Sequence, residues 1–174
     1  MQTILYAYPA SLTRGTDGRY LVRFPDLPEA LTDGATEDMA LKEAADCLSE
    51  ALAARIVDGE AIPTPSPVRR NQFQVAPDAT IALKAALHTI LADRRFSAAE
   101  LARRLGIDHK EARRILDPRH PTKLPRLAAA LEALGHDMAV TVHDASRRER
   151  LLSSPVDVRP KRMKIARAIA VKEA

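Results

Sequence analysis

Three closely spaced prolines, Pro63, Pro65 and Pro67, constrain this chain most, because prolines at alternate positions exclude a helix and stiffen the backbone. Before them, the apolar residues alternate as in strands and then follow one helical stripe, whereas from Asp78 onward the spacing is helical. A chain of 174 residues is long enough for two small domains. We therefore predict one domain over residues 1–76, a second over 77–145, and a basic tail over 146–174 that is flexible or a loosely held helix.

The first half is typical of a small antiparallel sheet with one helix in the order β-β-β-α-β, which makes the predicted fold class α+β. The predicted strands are Thr3–Tyr8, Arg19–Phe24, a short one near Ala30–Leu31, and Asn71–Val75. Thr36 is a suitable N-cap for a helix that runs to about Val57 and stops at Gly59. Its apolar face would bury Leu41, Leu48 and Leu52.

The second half predicts an all-α domain in which two short helices follow one another closely. Asp78 is the expected cap of a first, longer helix. Ser97 with Glu100, and Asp108 with Glu111, have the spacing of capping boxes, in which the two residues satisfy each other's backbone amides. We predict a further helix over about Pro125–Leu134 and a terminal strand over Met138–Val142, whose edge is our candidate dimer contact.

Residues 97–117 have the pattern of a helix-turn-helix, a motif of two short helices joined by a tight turn. Gly106 suits the left-handed backbone that such a turn requires, and Ala102 is small enough for the helices to cross there. Apolar residues supply both buried faces: Leu101, Leu105, Ile107, Ala112 and Ile115. By elimination, the second helix presents outward His109, Lys110, Arg113, Arg114 and Asp117. The alternative is an ordinary helical hairpin with surface arginines.

That outward face suits the major groove of double-stranded DNA. Arg113 or Arg114 can donate two hydrogen bonds to guanine, worth about 1–3 kcal/mol of base discrimination. His109 and Lys110 lie near the helix start, where they can meet a phosphate or a base edge. The other candidate DNA-binding residues would hold phosphates, which set register and affinity but not sequence. They are Arg103, Arg104, Arg119, Lys123 and Arg126.

The net charge changes sign along the chain. Residues 1–66 contain five Lys and Arg against eleven Asp and Glu, a net charge of −6, whereas residues 67–145 carry +4 and residues 146–174 carry +6. An acidic surface attracts a basic protein and a basic surface attracts phosphate backbones, so we predict two different partners. The alternative is that both halves simply have solvated charged faces.

Cysteine content and hydropathy bear on location. The single cysteine, Cys47, excludes an intramolecular disulfide and favours a reducing compartment. The longest apolar run falls short of the roughly 20 residues that span a bilayer. The first ten residues lack the layout of a secretion signal. We therefore expect a cytoplasmic protein with no membrane partner.

Several motifs of the first half resemble the HicB antitoxins of bacterial toxin–antitoxin pairs. In chain order, they are Asp17-Gly18-Arg19-Tyr20, Val22, Phe24-Pro25-Asp26-Leu27-Pro28, Gly34-Ala35-Thr36 and Ile62-Pro63-Thr64-Pro65-Ser66. They span nearly all of residues 1–66. The second half is similar to the Cro/repressor-type helix-turn-helix found in one branch of that family.

The resemblance implies a fold and a function that the residues alone would not indicate. It implies a partial ribonuclease-H-like first domain that binds and blocks a small basic HicA-like toxin, an mRNA-cleaving ribonuclease. It also implies a second domain that forms a homodimer or a higher homo-oligomer and represses the operon by binding operator DNA. On this basis we assign as toxin-binding residues Tyr20, Arg23, Phe24, Asp26 and Glu29.

An enzyme is a competing hypothesis. A metal-dependent nuclease needs several converging carboxylates. Asp17, Asp26 and Asp33 are present, but their Gly and Pro neighbours favour turn formation. The five histidines have no metal-ligand spacing, so we predict no catalytic residue, no metal and no cofactor. Two more hypotheses stay open at this point: a toxin-binding protein whose helix-turn-helix does not bind DNA, and a stand-alone repressor with a sensing first domain.

Overall fold

A computed structural model describes residues 6–139. Over these residues the fold is a four-stranded antiparallel sheet with one long helix, followed by four further helices. The strands are β1 (Tyr8–Arg14), β2 (Tyr20–Phe24), β3 (Leu27–Gly34) and β4 (Gln72–Val75). The helices are α1 (Glu37–Asp58), α2 (Ala79–Arg94), α3 (Ala98–Leu105), α4 (His109–Leu116) and α5 (Leu124–Ala133). The predicted α+β class is confirmed.

The first core lies between α1 and one face of the sheet, whose strands have the order β3-β2-β1-β4. It contains Tyr8, Val22 and Phe24 from the strands, packed against Leu48 and Leu52 of α1. Because alternate residues of each strand point to this face, the opposite face is left to mainly polar side chains.

Local capping signals set the ends of α1 as predicted. The Thr36 hydroxyl accepts a hydrogen bond from the backbone N–H of Met39, which satisfies one of the free amides of the first turn. The helix ends at Gly59, whose φ of 70° places it in the left-handed region.

The predicted first strand, Thr3–Tyr8, was wrong, because β1 begins at Tyr8 instead of ending there. Residues 3–5 lie outside the described part of the chain. β1 is set by its pairing with β2 on one side and β4 on the other, with Leu12 opposite Val22 and Ala10 opposite Phe73. The residues that follow Tyr8, up to Arg14, therefore belong to a central strand.

The third strand is longer than predicted, because β3 covers Leu27–Gly34. A tight hairpin at Pro25 and Asp26 joins it to β2, and the register shifts between Arg23 and Phe24. Pro28 is tolerated because β3 is an edge strand, where a missing N–H leaves no neighbouring strand unpaired.

The second core is built by α2, α3, α4 and α5. Leu87, Leu101, Leu127 and Leu134 are fully buried in it. Only the first two residues of the predicted strand Met138–Val142 lie within the described part of the chain. They form no strand, because residues 136–139 have no regular secondary structure. The strand's remaining residues, and the predicted basic tail 146–174, lie outside the described residues. Within residues 6–139, no helix combines the length and apolar character that crossing a bilayer requires.

The proline-rich segment, residues 62–67, is held against the sheet by two hydrogen bonds. The Tyr8 hydroxyl donates to the Pro63 carbonyl at 2.8 Å, and the Asp26 carboxylate accepts from the Ser66 N–H at 2.9 Å. The two halves also touch directly, since the Asp78 N–H donates to the Ser49 hydroxyl of α1. The region between the halves is therefore an ordered connection.

Candidate functional site

Two short helices, α3 and α4, contact each other and are joined by the three residues 106–108. Gly106 opens the turn with a φ of 64°, in the left-handed region. The N–H of Ile107 donates to the Ala102 carbonyl, which closes the end of α3. Ala102 is only 6% exposed, so its small side chain lies in the packed region between the helices.

Each of the two helices has the predicted cap, but neither has a reciprocal capping box. The Ser97 hydroxyl accepts from the Glu100 N–H, and the Asp108 carboxylate accepts from the Glu111 N–H. The glutamate carboxylates do not return to the cap amides within the described residues. Glu100 binds Arg103 and Arg104 instead, and Glu111 pairs with Arg126. A charged guanidinium is a stronger partner than a neutral amide, which explains the difference.

The outer face of α4 is cationic and accessible. His109, Lys110, Arg113 and Arg114 are all exposed, whereas Ala112 and Ile115 are buried on the inner face. Within residues 6–139, none of the four outward side chains has an ion pair or a hydrogen bond to the protein. Their donors are therefore available to an external acceptor.

The two arginines of α3 have different environments, although both were predicted phosphate contacts. Arg103 is 72% exposed and bonded to Glu100. Arg104 is also bonded to Glu100, lies 4.8 Å from the centroid of the Phe96 ring, and donates to the Ala133 carbonyl at 3.4 Å. These contacts tie Arg104 to the protein body, so we do not retain it as a DNA contact. The hydrogen bond from Arg103 is the main reason why the pKa of Glu100 lies below its usual value, and the hydrogen bond from Arg104 adds to the effect.

A shallow basic cavity lies beside the outer face of α4. Its volume is about 330 Å³, and Arg114, His120, Lys123 and Arg126 line it together with Glu111. Lys123 is exposed at its rim, and Arg119 is exposed on the loop that follows α4. The cavity brings Arg114 of α4 together with the later cations Lys123 and Arg126, a combination that can meet a phosphate backbone.

All five predicted toxin-binding residues belong to the β2–β3 hairpin, but one of them is buried in the core. Arg23 and Glu29 are exposed, and Tyr20 and Asp26 are partly buried. Phe24 is only 2% exposed and packs in the first core, so the prediction that it binds the toxin was wrong. Glu29 bonds with Arg55, which lowers the pKa of Glu29.

The three carboxylates considered for catalysis each have a local partner. Asp17 accepts from the Arg19 N–H, Asp33 pairs with the Arg19 guanidinium, and Asp26 accepts from the Ser66 N–H. Across residues 6–139, no three His, Cys, Asp or Glu side chains converge as metal ligands would.

Comparison with known proteins identifies the family of this chain. Residues 7–86, which cover the sheet, α1 and the first half of α2, match the family described as HicB-like antitoxin of bacterial toxin-antitoxin system. Antitoxin HicB 1 of Photorhabdus laumondii is 36% identical over 135 residues, which are 78% of this chain and 86% of that protein. The chain belongs to the HicB antitoxin family.

Other HicB relatives show similar coverage. Antitoxin HicB of Escherichia coli strain K12 is 34% identical over 135 residues, 78% of this chain and 98% of its own. Antitoxin HicB 2 of Photorhabdus laumondii is 41% identical over 128 residues, 74% of this chain and 90% of its own. These alignments are longer than residues 7–86, so the likeness to HicB antitoxins extends beyond the stretch that the family description covers.

One residue of this HicB chain that sequence reasoning missed is Lys84. It is fully buried in α2, and its ammonium donates to the backbone carbonyls of Asp117 and His120, each at 2.5 Å. A signal was present, since Lys84 lies on the same helical stripe as Leu87 and Leu91, at spacings of three and seven residues. A lysine on an apolar stripe requires a buried partner, but the stripe does not say which one.

Proposed function

We propose that this chain is an antitoxin that neutralises a HicA-like, mRNA-cleaving toxin by direct binding and represses its own operon by binding operator DNA. The observation that carries the DNA-binding half is the outer face of α4, where Lys110, Arg113 and Arg114 are exposed and have no protein partner within the described residues. Membership of the HicB family supports the antitoxin half. On this proposal the chain is a cytoplasmic regulator with no catalytic activity of its own.

In the DNA complex, α4 is the recognition helix. Its eight residues are about 12 Å long, which fits within a major groove about 12 Å wide. Arg113 and Arg114 read guanine edges, His109 and Lys110 contact the groove near the helix start, and the surrounding cations Arg103, Arg119 and Lys123 hold phosphates. In a homodimer or higher homo-oligomer, the two copies of α4 bind half-sites about 34–36 Å apart.

In the toxin complex, the β2–β3 hairpin is the contact surface. Arg23 and Glu29 are exposed polar groups of this hairpin, and Tyr20 and Asp26 are partly exposed on it. The net charge of −6 over residues 1–66 attracts a basic ribonuclease over a distance, which accelerates association at low salt. Docking there covers the toxin surface that would otherwise bind RNA.

Two sets of variants test both halves of the proposal. We expect Arg113→Ala and Arg114→Ala each to weaken binding to a duplex from the upstream region by about 5- to 150-fold, the loss of a bidentate base contact. Fluorescence anisotropy at fixed ionic strength measures this. Arg23→Ala should leave the operator affinity unchanged but weaken binding to the toxin encoded beside this gene, measured by calorimetry and by recovery of mRNA cleavage.

Arg70→Ala is the matched control for both assays. Arg70 is exposed and lies between the halves, outside both proposed surfaces, so the same loss of charge should change neither affinity. Wild-type affinity of both α4 variants for the operator would contradict the DNA-binding role. A toxin that does not bind the wild-type chain would contradict the antitoxin role.

A further inference from the structure

Lys84 joins α2 to the far end of α4. Its ammonium reaches the Asp117 carbonyl, where α4 ends, and the His120 carbonyl, three residues farther on. The same turn is closed by the His120 N–H, which donates to the Asp117 carbonyl at 3.1 Å. One buried cation therefore holds both the end of the helix and the turn that follows it.

A lysine at this position has a specific job. Taking an ammonium out of water is costly, and here its hydrogen bonds to two backbone carbonyls offset that cost. The cost is visible here, because burial lowers the pKa of Lys84, although the Asp117 charge partly opposes that effect. What the ammonium supplies and an apolar side chain cannot is a fixed pair of donors for two particular carbonyls.

The geometry that Lys84 fixes is the geometry of the proposed DNA contacts. The C-terminal end of α4 carries Arg113 and Arg114, and the turn held by Lys84 carries Arg119. A cation at the end of a helix also complements the partial negative charge of its last carbonyls. A helix of only eight residues depends on such outside contacts for its orientation.

We propose that Lys84 is a positioning residue for DNA recognition, which holds α4 and the Asp117–His120 turn in the orientation that DNA requires without touching DNA itself. The inference rests on the proposed operator binding. It differs from that proposal in assigning a DNA-binding effect to a side chain that is fully buried.

Lys84→Met is the principal variant, because methionine is unbranched, of similar length, and fills buried gaps. We expect its affinity for the upstream duplex to fall about 10-fold, the scale of mutations that act on a site without contacting the ligand. Its affinity for a scrambled duplex should fall less, because base contacts depend on the exact orientation of α4 whereas phosphate contacts carry no sequence information. Arg119→Ala removes a phosphate contact outright, so it should weaken binding to both duplexes alike and lower the salt slope by about one.

Ile90→Val controls for stability. Ile90 is buried on the same helix in the second core, and the change should destabilise that core modestly while leaving operator affinity at the wild-type value. If Ile90→Val weakens operator binding as much as Lys84→Met, then affinity follows stability and the positioning role is refuted. Unchanged operator affinity in Lys84→Met, or an equal loss of affinity for the scrambled duplex, would also overturn it.

Two further measurements keep the test decisive. If Lys84→Met fails to fold, Lys84→Gln takes its place. Glutamine retains a shorter donor, so the operator affinity of this variant should fall by less than the loss of about 10-fold expected for methionine. In either folded variant, the Asp117 and His120 amides should exchange hydrogen faster than in the wild type, while amides of Leu87 and its neighbours in α2 should not. Unchanged exchange at both amides contradicts the inference. A wild-type chain that does not bind the operator refutes the proposed function itself, which is a different outcome.

Discussion

Among single residues, Arg104 and Arg113 show that its neighbours decide whether an arginine side chain can bind a ligand. Both are arginines on short helices of the same pair. Arg104 is engaged by Glu100, the Phe96 ring and the Ala133 carbonyl, whereas Arg113 has no such partner within residues 6–139. Only the second can therefore meet a ligand without first breaking contacts within the protein.

The Glu29–Arg55 pair leads to a prediction about pH. The Arg55 hydrogen bond lowers the pKa of Glu29 below its usual value of 4.5, so the folded state favours the ionised carboxylate. The stabilisation is present above that usual value and is lost as the pH falls through the lowered pKa. Because the pair is partly exposed, it should contribute about 0.2–1 kcal/mol.

Urea unfolding of the wild type and Glu29→Gln measures this contribution. The wild type should be more stable at about pH 6, and the difference should shrink as the pH falls below the usual value of 4.5 and through the lowered pKa of Glu29. A difference in unfolding free energy that does not change as the pH is lowered would show that Glu29 acts by something other than its charge.

At the scale of elements, the turn at Gly106 leads to a prediction about strain. A Cβ added at Gly106 would meet no atom within 4 Å. The only cost of Gly106→Ala should therefore be the strain of holding alanine in a left-handed backbone conformation. We expect a loss of about 1–2 kcal/mol in the free energy of unfolding, with the fold retained.

Gly135→Ala is a matched control for this prediction. Gly135 also has a positive φ, 75°, and open space around its Cβ position, but it follows α5 and is not part of the α3–α4 turn. Both variants should lose similar stability in denaturant titrations, while only Gly106→Ala should also weaken operator binding. No loss of stability in Gly106→Ala would mean that the turn can relax into another backbone conformation.

The elements that sequence reasoning predicted well are those set by local chemistry. Caps and stops such as Thr36, Asp78 and Gly106 act through atoms within a few residues of themselves, so their spacing alone identifies the helix ends. β1 was misplaced because its position depends on pairing with β2 and β4, and β4 begins nearly sixty residues after β1 ends.

The candidate site likewise contains residues that local sequence predicts and residues that it does not. The outward face of α4 followed from the apolar spacing of one helix. The roles of Lys84 and Arg104 did not, because their carbonyl partners lie 29 to 36 residues away in sequence. Phe24 was misassigned for a related reason, since membership of a motif does not say which face of the strand a side chain occupies.

At the scale of the whole molecule, the two proposed surfaces are separate but joined by an ordered connection. The β2–β3 hairpin belongs to the acidic first half, and α4 belongs to the basic second half. Tyr8 and Asp26 bind the proline-rich segment, and α1 packs against α2 between the halves. Toxin and DNA would therefore meet different faces of one antitoxin.

DNA binding through α4 is tested most directly by NMR chemical-shift mapping of the full chain, titrated with a duplex from the upstream region. We expect the largest amide shifts in residues 108–116 and in the loop from Arg119 to Lys123, with little change in the β2–β3 hairpin. Shifts confined to the hairpin, or no shifts in α4 at saturating duplex, would contradict it.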